Sequence, residues 1–93
     1  MNNERYKELF YFCLQYKSKE KISERKTIEG AKALIDIKLI QEAAELANQD
    51  LKPYILESVT SGKSWEQLTP PCGRRQFYKA RHEFFEILSR LKN

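Results

Sequence analysis

The stretch SWEQLTPPCGRRQFYKARHEFF, Ser64–Phe85, predicts a short helix, a turn and the beginning of a long helix. Ser64 can cap a short helix over WEQL, and the following prolines interrupt the helical pattern because Pro71 restricts Pro70 to extended backbone. A long helix is predicted from Gly73 or Arg74 to Leu91. Its apolar residues recur at spacings of three and four and are expected to face the core: Phe77, Ala80, Phe84, Ile87 or Leu88, and Leu91.

Three further helices are predicted upstream of this segment. The first is capped by Asn2 or Asn3 and runs to about residue 16. The second follows a cap at Thr27 and ends near Asn48, and the third begins at a cap formed by Asp50 and ends at Gly62. The second helix has a wide apolar stripe that is expected to be buried: Ile28, Ala31, Leu34, Ile35, Leu39, Ala43, Leu46 and Ala47.

Between the first two helices lies a polar segment, KSKEKISERK, residues 17–26. Its composition predicts a solvent-exposed connection, with helical content and phosphate contacts left open. The chain is therefore expected to be a small all-α domain of about five helices. Residues 1–49 would form an N-terminal helical region, and residues 50–93 would form a helix-turn-helix unit.

The net charge is concentrated at the C-terminal end. The chain has 93 residues and a formal charge of +4. From Pro70 onward lie six of the 17 lysines and arginines but only two of the 13 acidic residues, so the rest of the chain is electrically balanced. A localised basic segment suggests an anionic partner, and nucleic acid is the first candidate.

Basic residues stand at the start of the last predicted helix, where the helix dipole favours acids. A polyanion across this end would explain the arrangement, whereas the alternative is simple pairing of Arg74 and Arg75 with acids such as Glu66. If the unit is a helix-turn-helix, its last helix enters the major groove. The side chains expected to contact DNA from this helix are Arg74, Arg75, Gln76, Tyr78, Lys79, Arg81 and His82.

Other classes of function have little support in the sequence. Cys13, Cys72 and the single histidine, His82, do not have the spacing of a zinc site, and both cysteines are expected to be reduced thiols. We expect no cofactor, no metal and no enzymatic activity. No targeting signal or membrane-spanning apolar run is evident, which predicts a cytoplasmic protein.

Neighbouring aromatic residues point to a second apolar surface. Because adjacent residues cannot share one helix face, Tyr11, Phe12 or Phe85 would pack elsewhere. Their partner could be another helix of the same chain or the second subunit of a homodimer, and the sequence leaves both open.

Three segments, LFYFCLQY, YILESVTSGKSWEQL and PCGRRQFYKARHEFFEILSRL, resemble the ArpU/RinA-like phage and prophage transcriptional regulators. The C-terminal part of that family is similar to the helix-turn-helix of sigma factor region 4. The resemblance implies sequence-specific binding of double-stranded DNA in a bacterial host. It also implies that Ser64, Trp65 and Tyr78 orient the unit on phosphates or pack it.

The leading hypothesis is a phage-type DNA-binding regulator. A second hypothesis is a phage-encoded inhibitor that binds a bacterial protein, either a defence nuclease or RNA polymerase. A third is a small structural or packaging-accessory protein, which would form stable higher oligomers without preferring one DNA sequence.

Overall fold

The computed structural model describes residues 2–93. This part of the chain contains six α-helices and no strand. The helices are α1 (Asn3–Leu14), α2 (Tyr16–Ser23), α3 (Ile28–Ala47), α4 (Lys52–Ser61), α5 (Trp65–Leu68) and α6 (Arg74–Leu91). The all-α prediction is confirmed.

One hydrophobic core joins the N-terminal and C-terminal regions. Helix α3 packs against α2, α4 and α6, while α1 packs against α4 and α6. The buried side chains come from four helices and the residue before α4: Leu9, Cys13, Ile40, Ala43, Ala44, Leu51, Ile55, Val59, Phe77, Ala80, Phe84, Phe85 and Leu88. Residues on both sides of position 50 therefore stabilise the same core.

Several helix ends follow the sequence signals. The Asn2 side chain accepts a hydrogen bond from the Arg5 amide at 2.8 Å, and that of Thr27 accepts one from the Gly30 amide at 3.1 Å. Gly62 ends α4 with a left-handed φ of 75°, a conformation that is accessible to glycine.

The predicted cap at Asp50 is wrong. The Asn48 side chain accepts a hydrogen bond from the Leu51 amide at 3.0 Å, and Asp50 is exposed in the turn. Leu51 is the residue that precedes α4, and α4 has no side-chain cap, so the residue type of Asp50 alone did not locate the start of the helix.

The polar segment after α1 is largely helical, forming α2. Its helix is held by contacts with α3: the Gln41 amide donates to the Tyr16 hydroxyl at 2.8 Å, and Lys19 pairs with Asp36 at 3.0 Å. The segment has little apolar periodicity, so its helix depends on tertiary contacts that the pattern did not reveal.

The predicted buried face of α3 is wrong at most positions. The structure buries Gly30, Ala33, Ile37, Ile40, Ala43 and Ala44, and of the expected stripe only Ala43 is among them. Ile28, Leu34, Ile35 and Leu46 are instead exposed. Four of the six buried positions hold glycine or alanine, and this face is the one that packs against α2, α4 and α6.

The predicted core face of α6 is confirmed at Phe77, Ala80, Phe84 and Leu88. Phe85 is also buried, and its ring lies 4.9 Å from that of Tyr6 and 6.0 Å from that of Phe10, measured between centroids. The sequence left open whether Phe85 packs against a helix of the same chain or against a second subunit. In the structure it packs against α1 of its own chain.

Candidate nucleic-acid interface

The start of α6 is tied to α5 by two hydrogen bonds from one tryptophan. The indole Nε1 of Trp65 donates to the carbonyl oxygen of Cys72 at 3.0 Å. Its backbone N–H donates to the hydroxyl of Tyr78 at 3.2 Å. Because these bonds span the turn between the helices, they fix the direction in which α6 begins.

In the rest of the turn, one proline is buried. Thr69 ends α5 with a left-handed φ of 44°, and Pro70 is buried behind it. Ser64 begins α5, and its backbone N–H donates to Oε1 of Gln67 at 2.9 Å. Ser64 is half-buried, so its main role in this structure is to shape the N-terminus of α5.

The core contacts of α6 determine which of its side chains face outward. Phe77, Ala80 and Phe84 lie on the buried side. Arg75, Lys79 and His82 have the spacing of one helix face and are exposed, and Gln76 lies at the edge of the same face. The structure therefore brings these four predicted residues together on one surface, which we call the α6 polar face: Arg75, Gln76, Lys79 and His82.

Arg74 points toward α5. Its guanidinium lies 3.3 Å from the Glu66 carboxylate, so the simple pairing considered from the sequence occurs at this residue. The pKa of Glu66 is lowered, first by its own backbone N–H, then by Ser64, and only to a lesser extent by Arg74. Because both side chains are exposed, water screens this pair and it holds Arg74 only weakly.

Arg75 and Lys79 differ from Arg74. Within residues 2–93, neither forms an ion pair with an acidic side chain. Their positive charges are consequently available to an external anion.

The positive surface ends after the second turn of α6. His82 lies 3.0 Å from Glu86, which also lies 4.0 Å from Arg90, and Glu83 is exposed nearby. Acids therefore accompany the helix from its third turn onward. An anion would be attracted to the N-terminal part of the α6 polar face only.

Arg81 lies away from this surface, contrary to its predicted place among the DNA contacts. Its guanidinium donates to the Tyr6 hydroxyl at 3.2 Å, and it stands 5.0 Å from the Phe10 ring centre and 5.4 Å from that of Phe85. Its Nε is buried without a hydrogen-bond partner. Position 81 falls four residues after Phe77 and four before Phe85, a spacing that places it on the core side.

Tyr78 is half-buried and accepts the hydrogen bond from Trp65, so it packs the unit, one of the two roles that the resemblance implied. Trp65 also packs the unit, one of the two roles that the resemblance implied for it, but its hydrogen bonds across the turn were not predicted from the sequence. The signal available was its position immediately after a cap, facing a turn with two prolines.

Metal sites, membrane-spanning helices and reactive thiols are the other features to which the structure is relevant. Residues 2–93 contain no cluster of three or more histidine, cysteine or acidic side chains that could hold a metal ion. None of the helices in the same range is long and apolar enough to span a membrane. Both cysteines are free, Cys13 in the core and Cys72 half-buried.

No protein-family model, curated protein or solved structure matches the chain.

Proposed function

We propose that this protein binds double-stranded DNA with the N-terminal part of the α6 polar face in the major groove. One observation carries the proposal: Arg75 and Lys79 remain exposed and unpaired within residues 2–93, and Arg75 lies in the first turn of α6, where a cation reduces helix stability. A polyanion would offset that cost.

The residue types suit groove binding. Arginine can donate two hydrogen bonds to guanine O6 and N7, and glutamine can pair with adenine through its amide. Lysine is suited to phosphate oxygens. In this assignment Arg75 and Gln76 contact base edges and Lys79 contacts the backbone, while Arg74 can leave its weak pair with Glu66 to reach a phosphate.

The hydrogen bonds that join α5 to the start of α6 support major-groove binding by α6. Specific base contacts require a recognition helix whose direction is fixed before binding, because ordering side chains and loops reduces affinity. The hydrogen bonds from Trp65 to Cys72 and Tyr78 supply that rigidity. The similarity to ArpU/RinA-like proteins favours a regulator of phage transcription within this class.

The proposal can be tested by selecting bound duplexes from a random pool and measuring affinity for the selected sequence. Arg75→Ala should reduce the preference for the selected duplex over random DNA by about 1–3 kcal/mol. Lys79→Ala should weaken binding to both duplexes equally and lower the salt slope by about one.

Arg90→Ala provides a matched control, because Arg90 is an exposed arginine of the same helix at its far end. It should leave sequence preference unchanged. Absence of duplex binding even at low salt would exclude the proposal, and capture of a host protein instead, after nuclease treatment of a lysate, would favour the inhibitor hypothesis.

A further inference from the structure

Helix α3 has a second apolar face that the other residues of 2–93 leave uncovered. Among the described residues six large apolar side chains are strongly exposed, and four of them lie on this one helix: Ile28 at 75%, Leu34 at 42%, Ile35 at 59% and Leu46 at 59%. Ala31 is exposed beside them, and Leu39 is half-buried. A surface helix with one side in the core normally has charged or polar residues on the other.

All of these residues except Ile28 lie on two neighbouring ridges with a spacing of four. One ridge consists of Leu34, Lys38, Glu42 and Leu46, and the other of Ala31, Ile35 and Leu39. Such rows are the surfaces that interlock when two helices pack. With 20 residues, α3 is about 30 Å long, so the ridges provide an extended contact surface.

The first ridge is complementary to itself in the antiparallel direction. When two copies are placed head to tail about a point midway between Lys38 and Glu42, Leu34 meets Leu46 of the second copy. In the same register Lys38 meets Glu42 of the second copy, and the contact occurs twice because of the two-fold symmetry. A single register therefore satisfies both the apolar and the charged positions.

The charges on this ridge are free to make such contacts. Neither Lys38 nor Glu42 forms an ion pair within residues 2–93, although both are exposed. Their opposite signs leave the ridge without net charge, which does not suit a polyanion or an anionic membrane surface. The matching pattern favours a second copy of the same chain.

We propose that the protein forms a two-fold symmetric homodimer through antiparallel packing of α3 on α3, with Lys38 of each copy paired to Glu42 of the other. The inference does not depend on DNA binding. The sequence left open a homodimer formed through Tyr11, Phe12 or Phe85. The dimer proposed here is formed through the exposed face of α3 instead.

Sedimentation equilibrium of the full chain over a wide concentration range provides the test. The protein should reach twice its monomer mass of 11.1 kDa. Ile35→Glu should leave it monomeric, because a carboxylate would be placed in the apolar contact. Tyr11→Glu is the matched control: Tyr11 is 67% exposed on α1, and its replacement should leave dimerisation unchanged.

Charge exchange tests the register itself. Lys38→Glu and Glu42→Lys should each raise the dissociation constant at least about tenfold, because each places like charges opposite one another. An equimolar mixture of the two variants should form a heterodimer at least as stable as the wild-type dimer, since both contacts again join opposite charges.

The inference is overturned if the wild-type chain remains monomeric, or if Ile35→Glu and Tyr11→Glu dimerise equally well. It is also overturned if mixing the two charge variants produces no gain in mass. Circular dichroism of each variant establishes that the helical fold is retained, so loss of the dimer cannot be attributed to unfolding.

Discussion

At Gly30 the start of α3 comes so close to the last turn of α2 and to the connection that follows it that a side chain has no room. A Cβ at this position would overlap the carbonyl oxygen of Arg25 and lie 3.1 Å from that of Ile22. Both obstructing atoms belong to the backbone, so they cannot move aside as a flexible side chain would. The glycine therefore permits the α2–α3 corner.

Gly30→Ala is accordingly expected to destabilise the fold by about 1–3 kcal/mol, as overpacking does. In an open helix the same change stabilises, because alanine has the higher helix propensity. Thermal unfolding of Gly30→Ala and of Gly73→Ser distinguishes the two effects. Position 73 has open space around it, and its substitution should change the free energy of unfolding by only about a few tenths of a kcal/mol. A Gly30→Ala protein as stable as the wild type would contradict the close approach.

Cys13 illustrates how the core controls the chemistry of a side chain. Burial raises the pKa of its thiol to about 12, although Lys19, Arg81 and Lys92 act in the opposite direction. Folding thus favours the neutral thiol. This contribution to the free energy of unfolding is complete below the ordinary pKa of 9.0. It is lost as the pH rises from 9.0 through about 12, because over that range the thiol is ionised in the unfolded chain but still largely neutral in the folded one.

Because the thiolate is the reactive species, Cys13 should be inert to thiol reagents in the native protein near neutral pH. Titration with a chromogenic disulfide should detect one accessible thiol per native chain, that of the half-buried Cys72, and two after denaturation. Cys72→Ser should abolish the native reaction. Rapid labelling of the Cys72→Ser protein would show that Cys13 is not enclosed as described.

At the scale of helices, Arg81 links α6 to α1. Its guanidinium is surrounded by aromatic rings and donates to Tyr6, so the side chain contributes packing as well as charge. Arg81→Ala should lower the free energy of unfolding by about 1–2 kcal/mol. Arg75→Ala, an exposed substitution on the same helix, should change it little.

Paired measurements of unfolding and DNA affinity separate these two arginines. Arg75→Ala is expected to affect DNA binding with normal stability, and Arg81→Ala is expected to affect stability first. If Arg81→Ala unfolds like the wild type and specifically loses DNA binding, the role inferred from the sequence for Arg81 would be correct and the packing role wrong.

The helices differ in how well their sequence predicts which face is buried. In α6, large apolar residues lie on one side and most charges on the other, so periodicity identified the buried face. Helix α3 has apolar residues on both sides, and which side is buried depends on its packing against α2, α4 and α6, which no local pattern encodes. Arg81 was likewise predicted to contact DNA together with Arg75, because both are basic residues of the same helix. Its spacing of four residues from Phe77 and from Phe85 instead places it on the core side.

At the scale of the whole molecule, the two proposals together define the symmetry of the target. A two-fold dimer that contacts one duplex through both copies of α6 requires half-sites in inverted orientation. Duplexes selected from a random pool by the wild-type protein should therefore contain an inverted repeat. They should be bound with two chains per duplex.

Disrupting the dimer should lower the affinity for the full inverted repeat and leave the affinity for a single half-site unchanged. Ile35→Glu leaves the α6 polar face unchanged, so binding to a single half-site should be retained. Binding to the full inverted repeat should fall about 10²-fold or more, because the second contact is no longer intramolecular. Fluorescence anisotropy with both duplexes provides the comparison, and Tyr11→Glu should behave as the wild type on each. Selection of a single asymmetric site by a wild-type dimer would show that only one copy of α6 contacts DNA at a time.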